Sequence, residues 1–312
     1  LDKTIGILTL GTSSTAPSKF TYVYSTDAKV SGGNLTVKPV LSGDSNTVDE
    51  TSYKIEDIFK DEALRKAVFE AISTDITEDS FDAYAEKHTS AVLESFDKII
   101  SLTVPGGKDK KITSLEGIQY LTKLQSLDLH GNDLRGINSD DLSVLAETLT
   151  SLDLSYCNLT SIDVTELKKL VYLRLNNNEL PDIDVSNNKA LKELYLNNNK
   201  LKLAYVGANT ALVELDLSGM RTTDNKDSLP GLTAVSFDNN TALEILNLNG
   251  ALSSDVKEFK VDTTKNAALK ELYLSSNKLT KVEIKSSKTL QSLDISDNNL
   301  DTVILTGNKA LK

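Results

Sequence analysis

From Leu124 to the end of the chain, apolar residues recur at positions one, four, six and eleven of an eleven-residue segment, with asparagine usually at nine. "LQSLDLHGNDL" from Leu124, "LTSLDLSYCNL" from Leu149, "LVYLRLNNNEL" from Leu170 and "LKELYLNNNKL" from Leu191 carry this pattern. It loosens in "LVELDLSGMRT" from Leu212 and "LEILNLNGALS" from Leu243, returns in "LKELYLSSNKL" from Leu269 and "LQSLDISDNNL" from Leu290, and starts again at Leu311. Upstream, "IISLTV" from Ile99 offers Leu102 and Val104 to the same slots. Apolar residues two apart read as a short strand, both side chains inward and the residue between them outward. The ninth residue turns inward as the strand ends, where an amide can satisfy backbone groups that the turn leaves unpaired. Asn132, Asn178, Asn199, Asn277 and Asn298 are therefore expected to form a structural ladder, with Cys157 in the same slot.

Successive starts from Leu124 lie 25, 21, 21, 21, 31, 26, 21 and 21 residues apart. Self-similarity at this period is the leucine-rich-repeat signature. The 21-residue unit leaves too little chain for a helix on its outer side. Its second half repeats an alternating pair followed by asparagine, as at Ile183, Val185 and Asn188, Val206 and Asn209, Val235, Phe237 and Asn240, and Val303, Leu305 and Asn308. These stretches are expected to be extended or to form short β-bridges. In the 25-residue unit, Ser139 is a candidate N-cap for a helix through Leu142, Leu145 and Ala146. The expected fold class is α/β, mostly β: a solenoid with a curved parallel concave sheet and short extended convex segments.

One coil cannot offset its own ordering entropy by burying five or six aliphatic side chains, so the stack needs its neighbours and a cap. "DIFKDEALRKAVFEAI" supplies a cap helix, with Asp61 as N-cap and a stripe of Leu64, Ala67, Val68, Ala71 and Ile72. A second helical stretch carries Phe81, Tyr84, Ala85, Val92 and Phe96. Residues 51–98 then form the cap and 99–312 the solenoid, with coils starting near 99, 124, 149, 170, 191, 212, 243, 269 and 290 and a partial one at 311. Before them, "TIGILTL", "FTYVYS" and "NLTVKPV" read as three short strands, so residues 1–50 are either a small β module or the remnant of an upstream domain. "LTGNKALK" stops where a further strand should form; the expectation is a longer natural chain, or an end covered by a partner or a second copy.

The charge balance narrows the partners. With 45 acidic against 34 basic residues the net charge is −11, which repels phosphate backbones and anionic membranes. Nucleic acid is not an expected partner, and no run of about eighteen apolar residues suggests insertion in a membrane. The start, "LDKTIGILTLGTSS", lacks the basic and long apolar regions expected of a secretory leader, and the chain is readable as the mature part of an exported protein. A single cysteine forbids an internal disulfide.

The stretch "IFKDEALRKAVFEAI", followed by "KKITSLEGIQYLTKLQSLDLHGNDL", resembles the helical cap and first repeats of internalin-like leucine-rich-repeat proteins, which bacteria export and display on their surface. The nested 21-residue unit is similar to the short repeat of bacterial surface proteins in that superfamily. The resemblance spans roughly residues 53–312. It implies a secreted or surface-attached protein that binds a ligand on its concave sheet, without catalysis and without a cofactor. Some relatives carry a calcium loop after the first cap helix; here "STDITEDSFDAY" has only Asp75, Glu78 and Asp79 and lacks the acid-x-acid-x-acid-Gly rhythm, so no metal is expected.

Chemistry-bearing motifs are scarce. "PGGKDKKIT" misses phosphate-loop spacing, and His88 and His130 are the only imidazoles. A Cys157–histidine nucleophile pair would need an outward cysteine, against its repeat slot. No catalytic residues are expected. The residues between paired leucines run Asp128, Asp153, Arg174, Tyr195, Asp216, Asn247, Tyr273 and Asp294 along the concave face, flanked by Tyr172, Glu193, Glu214 and Glu271 on one side and Tyr156, Asn176, Asn177, Asn197 and Asn198 on the other. Tyrosine and arginine carry interface energy disproportionately. The candidate ligand-binding set is therefore Tyr156, Tyr172, Arg174, Tyr195, Glu193, Asp153 and Asp216, with a protein as the expected partner and adhesion or recognition as the role. The alternatives are a glycan or cell-wall ligand on the same face, against which zero tryptophans weigh, a spacer whose tyrosines only pack on one another, and a rival site on the lengthened segments "RTTDNKDSLPGL" and "ALSSDVKEF".

Overall fold

The computed structural model describes residues 59–72, 96–107, 111–137, 140–220, 231–262 and 265–312. The expected module over residues 1–50, the helical stretch from Phe81 to Val92, the 75–79 loop, His88 and the Ser139 cap lie outside these residues.

The strands, in chain order, are β1 (Ser101–Thr103), β2 (Ser126–Asp128), β3 (Ser151–Asp153), β4 (Tyr172–Arg174), β5 (Glu193–Tyr195), β6 (Leu203–Tyr205), β7 (Glu214–Asp216), β8 (Ala234–Ser236), β9 (Ile245–Asn247), β10 (Glu258–Val261), β11 (Glu271–Tyr273), β12 (Lys281–Ile284), β13 (Ser292–Asp294) and β14 (Thr302–Ile304). The strands of the repeat pattern form one parallel sheet in the order β1-β2-β3-β4-β5-β7-β9-β11-β13. Its register aligns a single leucine row, Leu102–Leu127–Leu152–Leu173–Leu194–Leu215–Leu246–Leu272–Leu293. Every member up to Leu272 is buried, and so are Leu129, Leu154, Leu175, Leu196, Leu217, Leu248 and Leu274 of the second row. The solenoid is thus mostly β with few helices, and its core is one continuous leucine column.

On the opposite side, the second halves of the coils give two smaller parallel sheets, β6-β8 and β10-β12-β14. In the coils from Leu149 and Leu170 these segments form no strand ladder; the Nδ2 groups of Asn188 and Asn209 bond the carbonyls of Val164 and Val185 in the coil before instead. The 25-residue coil carries only a single helical turn, α2 (Asp140–Ser143), after which the chain continues in turns to Thr148. Leu142 and Leu145 are buried, but the longer helix through Ala146 does not form.

The asparagines of the ninth position share a set of backbone hydrogen bonds. Asn178 donates from Nδ2 to the carbonyls of Leu154 and Leu175 at 2.8 and 2.9 Å, while its Oδ1 accepts the amides of Cys157 and Leu159, both at 3.0 Å. Asn132, Asn199, Asn277 and Asn298 repeat the two donations, and the Oδ1 of each accepts one backbone amide, that of Ile112, Leu180, Leu252 and Leu279 respectively. Cys157 is fully buried, its Sγ 3.2 Å from the Leu129 carbonyl and 3.4 Å from that of Ser155, and burial pushes the thiol up to about 11. In the two loosened repeats, buried Met220 and Ala251 take the slot.

The residue just before the slot adopts a left-handed backbone throughout: Gly131, Tyr156, Asn177, Asn198, Gly219, Gly250, Ser276 and Asp297 all have φ between 51° and 77°. Glycine, asparagine and aspartate tolerate this region; a tyrosine there costs roughly 1–2 kcal/mol.

The helix α1 (Glu62–Ile72) begins directly after Asp61. Asp61 Oδ1 accepts the amides of Ala63 and Leu64 at 3.0 and 3.1 Å, and its Oδ2 accepts the Thr113 amide at 2.9 Å, so one carboxylate both starts the helix and ties it to the first coil. Leu64, Val68 and Phe69 are the buried residues of α1. Ala71, expected on that stripe, is exposed, and Phe69, on a different side of the helix, is buried. Phe59 and Phe96 meet edge to face at 5.5 Å beneath the helix.

Candidate ligand-binding face

The register that aligns the leucines also fixes two outward rows. One runs Thr103–Asp128–Asp153–Arg174–Tyr195–Asp216–Asn247–Tyr273–Asp294; the other runs Ser101–Ser126–Ser151–Tyr172–Glu193–Glu214–Ile245–Glu271–Ser292. Asp153, Arg174, Tyr195 and Asp216 therefore sit on four consecutive strands, with Tyr172 and Glu193 beside Arg174 and Tyr195 in the adjoining row.

Their side chains form a connected group. The Arg174 guanidinium lies over the Tyr195 ring, 5.1 Å from its centroid, and reaches Asp153 at 4.0 Å. A cation on an aromatic face holds a long side chain in place without saturating its donors. The Tyr195 hydroxyl donates to Glu193 at 3.2 Å. Burial, followed by hydrogen bonding and charge from Glu214 and then Glu193, lifts its pKa far above the ordinary tyrosine range. Tyr195 is consequently a neutral donor at any physiological pH. Tyr273 repeats the arrangement farther along: its hydroxyl donates to Glu271 at 2.6 Å, and that bond raises its pKa.

The remaining candidates are placed less centrally. Asp216 is occupied, accepting from the Ser218 amide at 2.8 Å and from Asn247 Nδ2 at 3.1 Å. Tyr172 stands exposed at the rim of the sheet. Tyr156 is in the turn after β3, with φ 57° and 59% of its surface exposed, one step outside the row that holds Arg174. Glu214 was legible as a flank residue but not as the second carboxylate on Tyr195, since strand spacing does not reveal which rotamer a hydroxyl selects. The pair of Asp128 and His130, 2.7 Å apart, joins the same acidic row nearer the cap.

Of the rival segments, residues 221–230 lie outside the described residues. The other, from Ala251 to Phe259, is partly core: Ala251, Leu252, Ser253 and Phe259 are buried, and Leu252 bridges to Leu232. It does not project as a free loop, because its apolar residues close the seam between two unequal coils. Among the described residues there is no cluster of three or more His, Cys, Asp or Glu placed to hold a metal, and no helix is long and apolar enough to cross a membrane.

The Leucine Rich Repeat family pattern matches residues 123–145 and 148–170, and a second pattern of the same repeat matches 286–306. The described residues have the fold of a leucine-rich-repeat solenoid. Among solved structures, this solenoid is similar to the functional domain of InlJ from Listeria monocytogenes, described as including a cysteine ladder, with 23% identity and a TM-score of 0.54 over 83% of this chain and 62% of that one. It is also similar to a leucine-rich-repeat protein of Leptospira interrogans, with 24% identity and a TM-score of 0.50 over 67% of this chain and 57% of that one. The solenoid thus spans less than two thirds of either protein, and the likeness is one of fold. No curated protein sequence matches it significantly. Leucine-rich-repeat solenoids typically serve as scaffolds for protein interaction.

Proposed function

We propose that this solenoid is a non-enzymatic recognition module of a secreted or surface-attached bacterial protein, and that it binds a protein partner through the concave face around Tyr172, Arg174 and Tyr195. In this reading residues 51–98 cap the stack, 99–312 form the binding scaffold, and the first fifty residues are a separate module. The observation that supports it is the Arg174–Tyr195 stack, an aromatic and a forked cation held rigid on an exposed sheet and bordered by Asp153, Glu193 and Glu214. Such a pair couples contact area to directed hydrogen bonds at little entropic cost, the property shared by residues that dominate interfaces. Tyr195 stacks on arginine rather than on another tyrosine, which favours recognition over a purely packing role. The test immobilises the chain, captures proteins from host-cell surface extract, and compares wild type with Arg174→Ala and Tyr195→Ala. The expected result is one enriched protein whose binding weakens at least tenfold in each variant. Equal capture by all three, or binding only on a glycan array, would overturn the assignment.

A further inference from the structure

Each aspartate in the outward row that holds Arg174 does one job for the fold. Asp128, Asp153, Asp216 and Asp294 accept the backbone amide two residues on, at 3.1, 2.9, 2.8 and 3.0 Å, and so close the turn that ends their strand. Asn247 makes the same bond to the Asn249 amide, at 3.1 Å, without a charge. The turn therefore needs an oxygen and accepts a neutral one, so the four negative charges go beyond what the backbone asks for. In the adjoining row, Glu193 and Glu214 share the Tyr195 hydroxyl, and Glu271 takes that of Tyr273. These partners are neutral, so the bonds satisfy the carboxylates without cancelling their charge. Among the described residues, the only ion-pair contacts to either row are His130 with Asp128 and Arg174 with Asp153. No lysine stands in either row.

Resting on the recognition face proposed above, we infer that its partner is a protein with a basic contact surface, rich in lysine or arginine, that carries a single acidic side chain opposite Arg174. Adjacent strands hold the outward side chains about 4.8 Å apart, inside the roughly 8 Å over which physiological salt screens charge, so the carboxylates act on a partner as one field. A basic surface is drawn to that field and an acidic one is turned away. Arg174 breaks the field at one point. Half of its side chain is exposed, and its 4.0 Å contact with Asp153 is longer than a hydrogen bond, so the guanidinium keeps donors for a carboxylate that the partner brings. A lone carboxylate inside a basic patch also sets the register of docking, because any other placement puts it against Asp153, Glu193 or Asp216.

One titration reads the field apart from the contact. The isotope-labelled chain is titrated at physiological salt with blocked dodecalysine and with blocked dodecaglutamate. Two variants remove the same number of charges: Asp128→Asn, Asp153→Asn, Asp216→Asn and Asp294→Asn together on the concave row, and Asp163→Asn, Asp182→Asn, Asp184→Asn and Asp301→Asn together at exposed positions on the opposite side. Asp163 and Asp184 also accept the amide two residues on, both at 2.8 Å, which matches the control in local bonding. Dodecalysine is expected to shift the amide resonances of 172–174, 193–195 and 214–216. It should bind the concave variant at least tenfold more weakly than wild type and the control variant less than threefold more weakly, while dodecaglutamate does not bind. Arg174→Gln should tighten dodecalysine several-fold, opposite in sign to the loss expected for the protein partner. A dispersed amide spectrum certifies that each variant is folded. Equal weakening in the two fourfold variants, shifts spread evenly over both sides of the solenoid, or a captured protein whose contact surface is acidic would overturn the basic-partner inference. The recognition face itself would still stand if Arg174→Ala and Tyr195→Ala release the captured protein; capture insensitive to those two variants would overturn both.

Discussion

Asn199 satisfies three backbone groups that no neighbouring strand reaches, the carbonyls of Leu175 and Leu196 and the amide of Leu180. Asn199→Ala leaves the Leu196 carbonyl and the Leu180 amide buried without these bonds, while the Leu175 carbonyl keeps its bond from Asn178, so a loss on the order of 2 kcal/mol or more is expected in chemical denaturation. Cys157 holds the equivalent position with a weaker donor, and its thiol supplies a pH signature. Below about pH 9.0 it is protonated in both folded and unfolded chains; between there and about 11 only the unfolded chain loses the proton, so folding stability falls as pH rises. Over that window the melting temperature of wild type should drop faster than that of Cys157→Asn. Tyr156 is the bulky exception among the left-handed residues. Tyr156→Asn should raise stability by about 1 kcal/mol, and if Tyr156 belongs to the recognition face, partner affinity should fall in the same variant.

At the scale of elements, Asp61 shows how one side chain joins two of them. Asp61→Ala removes the cap of α1 and its link to Thr113 together. The expected cost is about 1–2 kcal/mol, read by hydrogen exchange as faster amide exchange in α1 and in the coil around Ile112, with the coils beyond Leu269 unchanged because repeat stacks transmit stability mainly to neighbours. The strands and the asparagine slots were legible in the sequence because a spacing that repeats brings each to the same place on successive coils. What escaped was set between coils. Phe69 rather than Ala71 faces inward because of what α1 packs on, and Ala251 and Leu252 join the core because the preceding coil is ten residues longer than the 21-residue unit. The placement of Arg174 beside Tyr195 followed from register, whereas the stack itself depends on rotamers that no periodicity encodes.

For the whole molecule, the acidic excess of the sequence has a location. Asp128, Asp153, Asp216 and Asp294 share one concave row, Glu193, Glu214 and Glu271 the next, and Arg174 is the one arginine or lysine in either. A partner meeting this face should associate several-fold more slowly as salt rises from low to high ionic strength, with less change in its dissociation rate, measurable by biolayer interferometry once that partner is captured. The common strand register also makes length adjustable. Removing residues 170–190, one whole coil, would seat Tyr195 directly beside Asp153 and leave the leucine column closed. A gene that gains or loses such a segment keeps a foldable product while reshuffling which charges stand side by side, so recognition can diversify by copying and excision without first passing through a broken scaffold.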